Sequence, residues 1–145
     1  MINFIEGKIS LAENNIFITS NDGDLNALAE EGLIDKKETS EGRVYYYVEE
    51  NVDNMRFGIF IRLRDKKIEW LRLSWLDSPI RGWDDVSEKG VKDQYQLLTI
   101  FVEKCVGRPS DKKGNKQHTW RFKWGQIDVC YDLRAFQADI FIVPR

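Results

Sequence analysis

The sequence contains few cysteines, few prolines and no long apolar run, and each shortage excludes a class of protein. Among its 145 residues are two cysteines, Cys105 and Cys130, and three prolines. The cysteines are not in a Cys-x-x-Cys spacing, so we expect neither a disulfide framework nor a zinc knuckle, and we interpret both as buried thiols of a reducing compartment. No segment approaches the ~20 consecutive apolar residues of a membrane span. The start MINFIEGKISLAENN lacks the basic and apolar regions of a signal peptide, which predicts a cytoplasmic protein without a membrane partner.

Motifs that carry catalysis or bind nucleotides are lacking as well. The chain has no G-x-x-x-x-G-K-[ST], no G-x-G-x-x-G and no G-x-S-x-G motif. His118, the single histidine, lies in a basic stretch that we interpret as a solvated loop, and neither cysteine is spaced to pair with it as a nucleophile. Asp128 and Asp132 share one face of a predicted strand, where we expect solvated or turn-capping carboxylates and not an acid–base pair. The sequence therefore predicts no enzyme, no catalytic residue, no metal site and no cofactor.

What the sequence does contain is the composition of an ordinary globular domain. Hydrophobic residues make up 42% of the chain, aromatic residues 12% and charged residues 32%, which suits a folded chain with a well-solvated surface. A chain of this length buries roughly 70% of the surface that its unfolded form exposes. We therefore expect one domain over residues 1–145 that folds without disulfides or metals.

Hydrophobic periodicity predicts an α+β fold in the order ββ-α-βββ-α-βββ. A short helix over NDGDLNALAEEGLI has Asp22 or Asp24 as its N-cap and Gly32 after its end. A long amphipathic helix follows GWDDVSEKG, because apolar residues recur there every three or four positions. That stripe consists of Val91, Tyr95, Leu98, Val102 and Cys105. Alternating apolar runs with short connections predict antiparallel strands that pack against the long helix, with ETSEGR as a polar turn and SDKKGNKQ as a flexible loop.

The stretch HTWRFKWGQIDVCYDLR concentrates aromatic and basic residues on one predicted hairpin. Trp120, Phe122 and Trp124 share one strand face, and Arg121 and Lys123 share the other. Alternate aromatic rings on a strand can stack on the bases of a single-stranded nucleic acid. They can equally supply the core, since a domain of this size buries most of its aromatic residues. We favour the core interpretation.

Charge is unevenly distributed, although the net charge is only −2. Residues 20–54 carry ten carboxylates against three cations, whereas residues 104–125 carry seven cations against one carboxylate. The acidic stretch is either a solvated surface or a face that meets a basic protein. If it is an interface, its contacts come from a pool of carboxylates together with an aromatic anchor in the polar loop that precedes the long helix. The members of this pool are Asp22, Asp24, Glu30, Glu31, Glu49, Glu50, Asp84, Asp85 and the anchor Trp83.

Landmarks in the C-terminal half resemble small bacterial proteins encoded beside polymorphic toxins. In those proteins a W-x-x-(V/W)-S-E helix start, an L-G-x-P helix end, a W-x-W-G strand and a Y-D-x-R hairpin recur. Two positions depart from that pattern, since Val106 stands for the leucine of the helix end and Phe122 for the first tryptophan of the strand. The matching positions are Trp83, Val86, Ser87, Glu88, Gly107, Pro109, Trp124, Gly125, Tyr131, Asp132 and Arg134.

The proteins that this chain resembles include immunity proteins of contact-dependent growth inhibition systems. Such proteins bind a toxin domain and block its activity, often that of a nuclease. For the fold, the resemblance implies a Whirly-like arrangement of two antiparallel sheets with helices. For the function, it implies a cytoplasmic immunity protein whose partner is the C-terminal domain of a cognate toxin, held by the acidic pool.

A single-stranded nucleic-acid binder is the alternative that we keep open. It would use Arg121, Lys123, the KKGNK loop and exposed aromatic rings. Nucleic-acid partners are less expected than a protein, because domains that bind nucleic acids are usually strongly basic and this chain carries a small negative charge.

Overall fold

The structure is a computed structural model that describes residues 2–11, 14–78 and 87–145. It confirms an α+β fold with two helices and two antiparallel sheets. The strands are β1 Ile2–Asn3, β2 Lys8–Leu11, β3 Asn14–Phe17, β4 Asp35–Glu38, β5 Val44–Val52, β6 Met55–Arg64, β7 Lys67–Trp75, β8 Lys112–Lys113, β9 Gln117–Phe122, β10 Gly125–Asp132 and β11 Gln137–Pro144. The helices are α1 Asp22–Glu30 and α2 Glu88–Val106.

Three short strands were not expected from the sequence, namely β1 and the two charged strands β4 and β8. β4 has the sequence DKKE, all of it exposed, and β8 lies inside the stretch interpreted as a flexible loop. Neither strand contains an apolar residue, so neither shows the alternation that identifies a half-buried strand. Both form through backbone hydrogen bonds to longer neighbours, β4 to β5 and β8 to β9.

Strands β1 to β3 form a three-stranded sheet, and the other strands form an eight-stranded sheet in the order β4-β5-β6-β7-β11-β10-β9-β8. Every pairing in both sheets is antiparallel. Within the large sheet, neighbours in space are also neighbours in sequence except where β7 pairs with β11. The two edges of the large sheet are therefore the two short charged strands.

One face of the large sheet, the core face, carries the hydrophobic core. Its central side chains are at most 2% exposed. Phe101 of α2 and Phe4 of the β1–β2 turn pack in the same cluster, with ring centroids 6.1 Å apart. The predicted stripe of α2 is confirmed, since Val91, Leu98 and Val102 are buried. The core-face residues of the sheet are Phe57, Ile59, Ile61, Leu71, Leu73, Ile127, Val129, Ile140 and Ile142.

Both helices begin and end at identifiable caps. The Ser87 side chain accepts a hydrogen bond from the backbone of Gly90 at the start of α2, and Gly107 ends that helix with φ of 84°. The prediction for α1 was wrong by one residue, because Asn21 is its N-cap. The Asn21 side chain and that of Asp24 each accept a hydrogen bond from the other's backbone N–H, which places Asp24 at the third helical position of a capping box.

Neither helix in the described part of the chain is long and apolar enough to cross a membrane.

Candidate functional site

The sheet order gathers the acidic stretch at one edge of the molecule. Residues 22–53 form α1, β4 and β5, with β4 as the edge strand and α1 packed beside it. We call this region the acidic edge. Strands β8 and β9 and the turn between them carry four of the seven cations of the basic stretch and form the opposite edge of the same sheet, which we call the basic edge. The sequence shows this segregation of charge only along the chain, and strand order turns it into a separation in space.

Asp22 and Asp24 have local partners at the start of α1. Asp24 closes the capping box with Asn21. Asp22 lies 3.4 Å from the hydroxyl oxygen of Tyr46, which also donates to the Asn26 side chain at 2.7 Å. Burial together with the nearby Asp22 carboxylate raises the pKa of Tyr46 to about 12. Asp24 therefore stabilises the start of α1, and Asp22 helps to attach α1 to the sheet.

Glu30 and Glu31 lie at the opposite end of α1 in a different situation. Both are exposed, and neither side chain has a hydrogen bond or ion pair with any residue that the structure describes. They end a helix whose last turn contains no basic residue. Carboxylates at a helix C-terminus are destabilising because the helix dipole is negative there. This placement weakens the fold, and a cationic partner would offset the cost.

Glu49 and Glu50 are adjacent in β5 and so point to opposite faces of the sheet. Glu49 forms an ion pair with Arg56 and accepts a hydrogen bond from the Tyr47 hydroxyl at 3.2 Å. The hydrogen bond from Arg56 lowers the pKa of Glu49. The structure therefore brings the described members of the pool to one edge without placing them on one flat surface. Trp83, Asp84 and Asp85 lie outside the described residues.

The aromatic hairpin is part of the core, as the favoured interpretation predicted. Trp120 is fully buried, and its indole N–H donates to the carbonyl of Arg108 at 3.0 Å. Phe122 and Trp124 stack on each other with centroids 5.2 Å apart, and the Trp124 indole donates to the carbonyl of Ile5 in the β1–β2 turn. These rings hold the hairpin to α2 and to the small sheet.

The interpretation of His118 as a solvated loop residue was wrong. His118 lies in β9 and is half-buried, with its Nδ1 2.8 Å from the Ser110 hydroxyl. Its ring is 5.6 Å from that of Tyr95 and 6.1 Å from that of Trp120, centroid to centroid. Burial lowers the pKa of His118, with a smaller contribution from Lys113. The residue packs between the hairpin and α2.

The two aspartates of β10 behave differently from each other. Asp132 accepts a hydrogen bond from the backbone of Arg134, which confirms a turn-capping role. Asp128 is buried, contrary to the expectation of a solvated carboxylate, and accepts from Thr119 at 2.6 Å and from Gln117 at 2.9 Å. A buried carboxylate that is fully hydrogen-bonded in this way is a structural group.

Neither cysteine is as deeply buried as the sequence predicted. Cys105 and Cys130 are both half-buried and unpaired. Burial and nearby carboxylates raise the pKa of Cys130 to about 11, so its thiol is protonated at neutral pH and is a poor nucleophile. In the described part of the chain, no three His, Cys, Asp or Glu side chains come together in a group that could hold a metal ion.

The face of the large sheet opposite the core carries a feature that the sequence interpretation missed. We call it the outer face; both helices lie on the other side of the sheet. Between the β4–β5 turn and the middle of β7, the outer face forms an open groove of about 890 Å³. We call it the arginine–aromatic groove, and its floor consists of Tyr45, Phe60, Arg62, Trp70 and Arg72.

Cation–π contacts organise the floor of this groove. The Arg72 guanidinium lies 4.4 Å from the centroid of the Phe60 ring, and that of Arg62 lies 5.8 Å from the Trp70 ring. Trp70 makes an edge-on contact with Phe141 of β11 at 5.8 Å. Cross-strand pairing creates these neighbours, because Arg62 lies opposite Trp70 and Phe60 lies opposite Arg72. The sequence did contain a signal for this groove. In β5, β6 and β7, core residues alternate with residues of the opposite face, and all three strands place aromatic side chains on that opposite face.

A scan against protein-family models finds no match to this chain, and searches of curated proteins and of solved structures find none either.

Proposed function

We propose that this chain is a cytoplasmic immunity protein that binds a cognate nuclease toxin domain and occludes its active site without catalysing a reaction. The observation that carries the proposal is the acidic edge, where α1, β4 and β5 bring together the ten carboxylates and three cations of residues 20–54. A domain that cuts RNA or DNA needs a cationic surface for its substrate. An acidic inhibitor surface competes for that same surface.

Charge complementarity also suits the speed that such an inhibitor needs. Opposite surface potentials raise association rate constants to roughly 10⁸–10⁹ M⁻¹s⁻¹ at low salt. The basic edge lies across the sheet from the acidic edge, so the molecule has a strong charge asymmetry that orients an approaching cationic domain. Glu30 and Glu31 carry the proposal furthest among individual residues, because they are exposed, unpaired within the described structure and placed against the helix dipole.

The direct test is co-purification with the C-terminal domain of the protein encoded immediately upstream, followed by titration calorimetry at two salt concentrations. We expect a tight complex whose affinity falls as salt rises. We also expect the complex to lack the nuclease activity of the free domain. The absence of a complex at low salt would refute the proposal.

A charge-neutralising pair tests whether the acidic edge forms the contact. The double substitution Glu30→Gln and Glu31→Gln should weaken binding at low salt by at least about tenfold, since each lost contact to a cationic partner is worth about 1 kcal/mol or more. The matched control is Glu6→Gln with Glu103→Gln, which removes two exposed carboxylates outside the acidic edge. Equal effects of the two pairs would show that only net charge matters and would remove the acidic edge as the contact.

A second candidate, a single-stranded nucleic-acid binder, retains one supporting observation. A groove of about 520 Å³ between β8 and β10 is lined by Lys112, Lys116 and Arg121. The aromatic rings that this candidate would stack on bases offer less support. Trp120 is buried, and the rings of Phe122 and Trp124 stack on each other. Titration with an oligothymidylate at low salt tests this candidate, and salt-sensitive binding that Arg121→Gln weakens would favour it.

A further inference from the structure

One arginine of the arginine–aromatic groove, Arg72, forms no ion pair with a described residue, although its charge partly opposes the rise in pKa of the buried Asp139 carboxylate. Arg43, Arg62 and Arg64 form ion pairs with glutamates of the same groove, at distances of 3.8, 3.2 and 3.9 Å. Arg72 has no ion pair with any described residue, and its Nε is buried without a hydrogen-bond partner there. Buried donors are nearly always satisfied in native proteins. The terminal nitrogens of Arg72 are not buried and have no hydrogen-bond partner among the described residues, so they are the donors that an acceptor from another molecule could reach.

The apolar surface beside Arg72 is built for contact as well. Phe60 lies beneath its guanidinium, and Trp70 and Phe141 meet edge to face on the neighbouring strands. Tryptophan, tyrosine and arginine dominate the binding energy of protein interfaces. No helix of the described chain covers these side chains, and each is half-buried by its neighbours alone.

We propose that the arginine–aromatic groove receives an acidic side chain of the partner protein, with its carboxylate on the Arg72 guanidinium and the adjacent apolar atoms on Trp70. The proposal rests on the proposed function, since the partner is the toxin domain. It identifies a second contact region besides the acidic edge. The acidic edge binds cationic groups of the partner, whereas the groove binds an anionic one. A guanidinium that binds a carboxylate through two parallel N–H donors adds geometric specificity to an otherwise electrostatic interface.

The position of the groove makes simultaneous contact feasible. Its wall is the β4–β5 turn, residues 39–43, which belongs to the acidic edge.

Charge favours a protein over a nucleic acid as the occupant. Glu41 and Glu69 line the groove with the arginines, and the buried carboxylates of Asp128 and Asp139 lie on the same outer face. A polyanion would meet these four carboxylates, whereas nucleic-acid interfaces are strongly basic. A protein surface that presents one carboxylate among apolar groups fits a groove lined by arginines, glutamates and aromatic rings.

The test compares groove variants in calorimetric titrations with the upstream-encoded toxin domain. Arg72→Lys keeps the charge but loses the paired donors, and Trp70→Ala removes the apolar platform; each should weaken binding at least about tenfold. Arg121→Lys, on the same face but outside the groove, should change the affinity by less than about twofold. Trp70→Phe should restore part of the lost affinity. Circular dichroism melting of every variant establishes that the fold is retained.

The outcomes separate this inference from the function on which it rests. If the wild-type chain forms no complex, the proposed function fails and the occupant named here fails with it. If a complex forms that Glu30→Gln with Glu31→Gln weakens but Arg72→Lys and Trp70→Ala do not, the groove inference alone is overturned. Oligothymidylate binding that only Trp70→Ala abolishes would assign the groove to nucleic acid instead. A wild-type dimer that Trp70→Ala dissociates, seen by sedimentation, would assign it to a second copy of the chain.

Discussion

At the scale of single residues, Asp139 shows how the outer face tolerates a buried carboxylate. Asp139 lies in β11 and accepts a hydrogen bond from the Ser74 hydroxyl at 3.0 Å. Burial raises the pKa of Asp139 above its ordinary value, and the hydrogen bond from Ser74 partly opposes that shift. The ionised side chain therefore costs the folded state free energy that its protonated form does not.

The pH dependence of stability should reveal this cost. Because the pKa of Asp139 is raised on folding, its penalty is absent below the unfolded pKa and grows as the pH rises through the folded pKa. Asp139→Asn should therefore gain stability relative to wild type as the pH rises from about 3 to about 7. Urea unfolding across this range measures the difference in unfolding free energy between the two proteins. Ser74→Ala removes the hydrogen bond that opposes the rise in pKa, so it should enlarge the loss of unfolding free energy with rising pH. A difference in unfolding free energy between Asp139→Asn and wild type that stays constant with pH would contradict a raised pKa of Asp139.

Gly125 is a position where only glycine fits. Its φ is 154°, and a Cβ there would lie 2.2 Å from the backbone oxygen of Val143. Gly125→Ala should cost roughly 2–4 kcal/mol of unfolding free energy, because backbone and not a flexible side chain must move. Gly32→Ala is the matched control, since φ is 77° there and the space is open; it should cost only about 1 kcal/mol. Equal losses in chemical denaturation would show that the clash is relieved.

At the scale of elements, the sequence predicted what local chemistry encodes. The boundaries of α2 follow from Ser87 and Gly107, both of which are local signals. β4 and β8 could not be predicted, because charged strands form only when a longer neighbour offers its backbone. The arginine–aromatic groove was missed for a related reason. Its cross-strand neighbours Arg62 and Trp70 are 8 positions apart along the chain, and Phe60 and Arg72 are 12 apart, so only the register of β5, β6 and β7 makes them neighbours.

The end of α1 should show a conflict between stability and binding. Glu30 and Glu31 oppose the dipole of a helix with no basic residue in its last turn. Replacing both by glutamine should raise the unfolding free energy by roughly 0.5–1.5 kcal/mol at low salt, while affinity for the proposed toxin partner falls. Thermal melting at low and high salt checks the first effect, which added salt should diminish. A loss of stability would mean that these carboxylates have partners within the fold.

At the scale of the whole molecule, the two edges of the large sheet are protected by charge. An exposed edge strand can pair with another molecule, and short charged strands discourage this. β4 carries Asp35 and Lys37 on the side of the outer face, and β8 consists of two lysines. The edges thus keep the sheet from extending. Because β4 has two carboxylates and two lysines, the acidic character of its edge comes from α1, β5 and the adjoining turns.

A charge-neutral substitution at β4 tests this protection. Asp35→Val with Lys37→Val leaves the net charge unchanged and turns the outer side of the edge apolar, so we expect self-association that grows with concentration. Asp35→Asn with Lys37→Gln removes the same charges without adding apolar surface and should remain monodisperse. Light scattering over a dilution series distinguishes the two variants. Identical behaviour would show that charge at this edge is irrelevant to association.

The pairing of β7 with β11 joins two parts of the large sheet that can form separately during folding. β4 to β7 form one run of sequential hairpins and β8 to β11 form another, and Ser74 meets Asp139 across 65 residues of chain. Hairpins close early because their loops are short, so the β7–β11 seam should set the folding rate. A cut within residues 79–86 would leave two fragments, each with a complete meander and one unpaired strand. Because the unpaired strands are β7 and β11, this strand order lets the two fragments reassemble by pairing those strands.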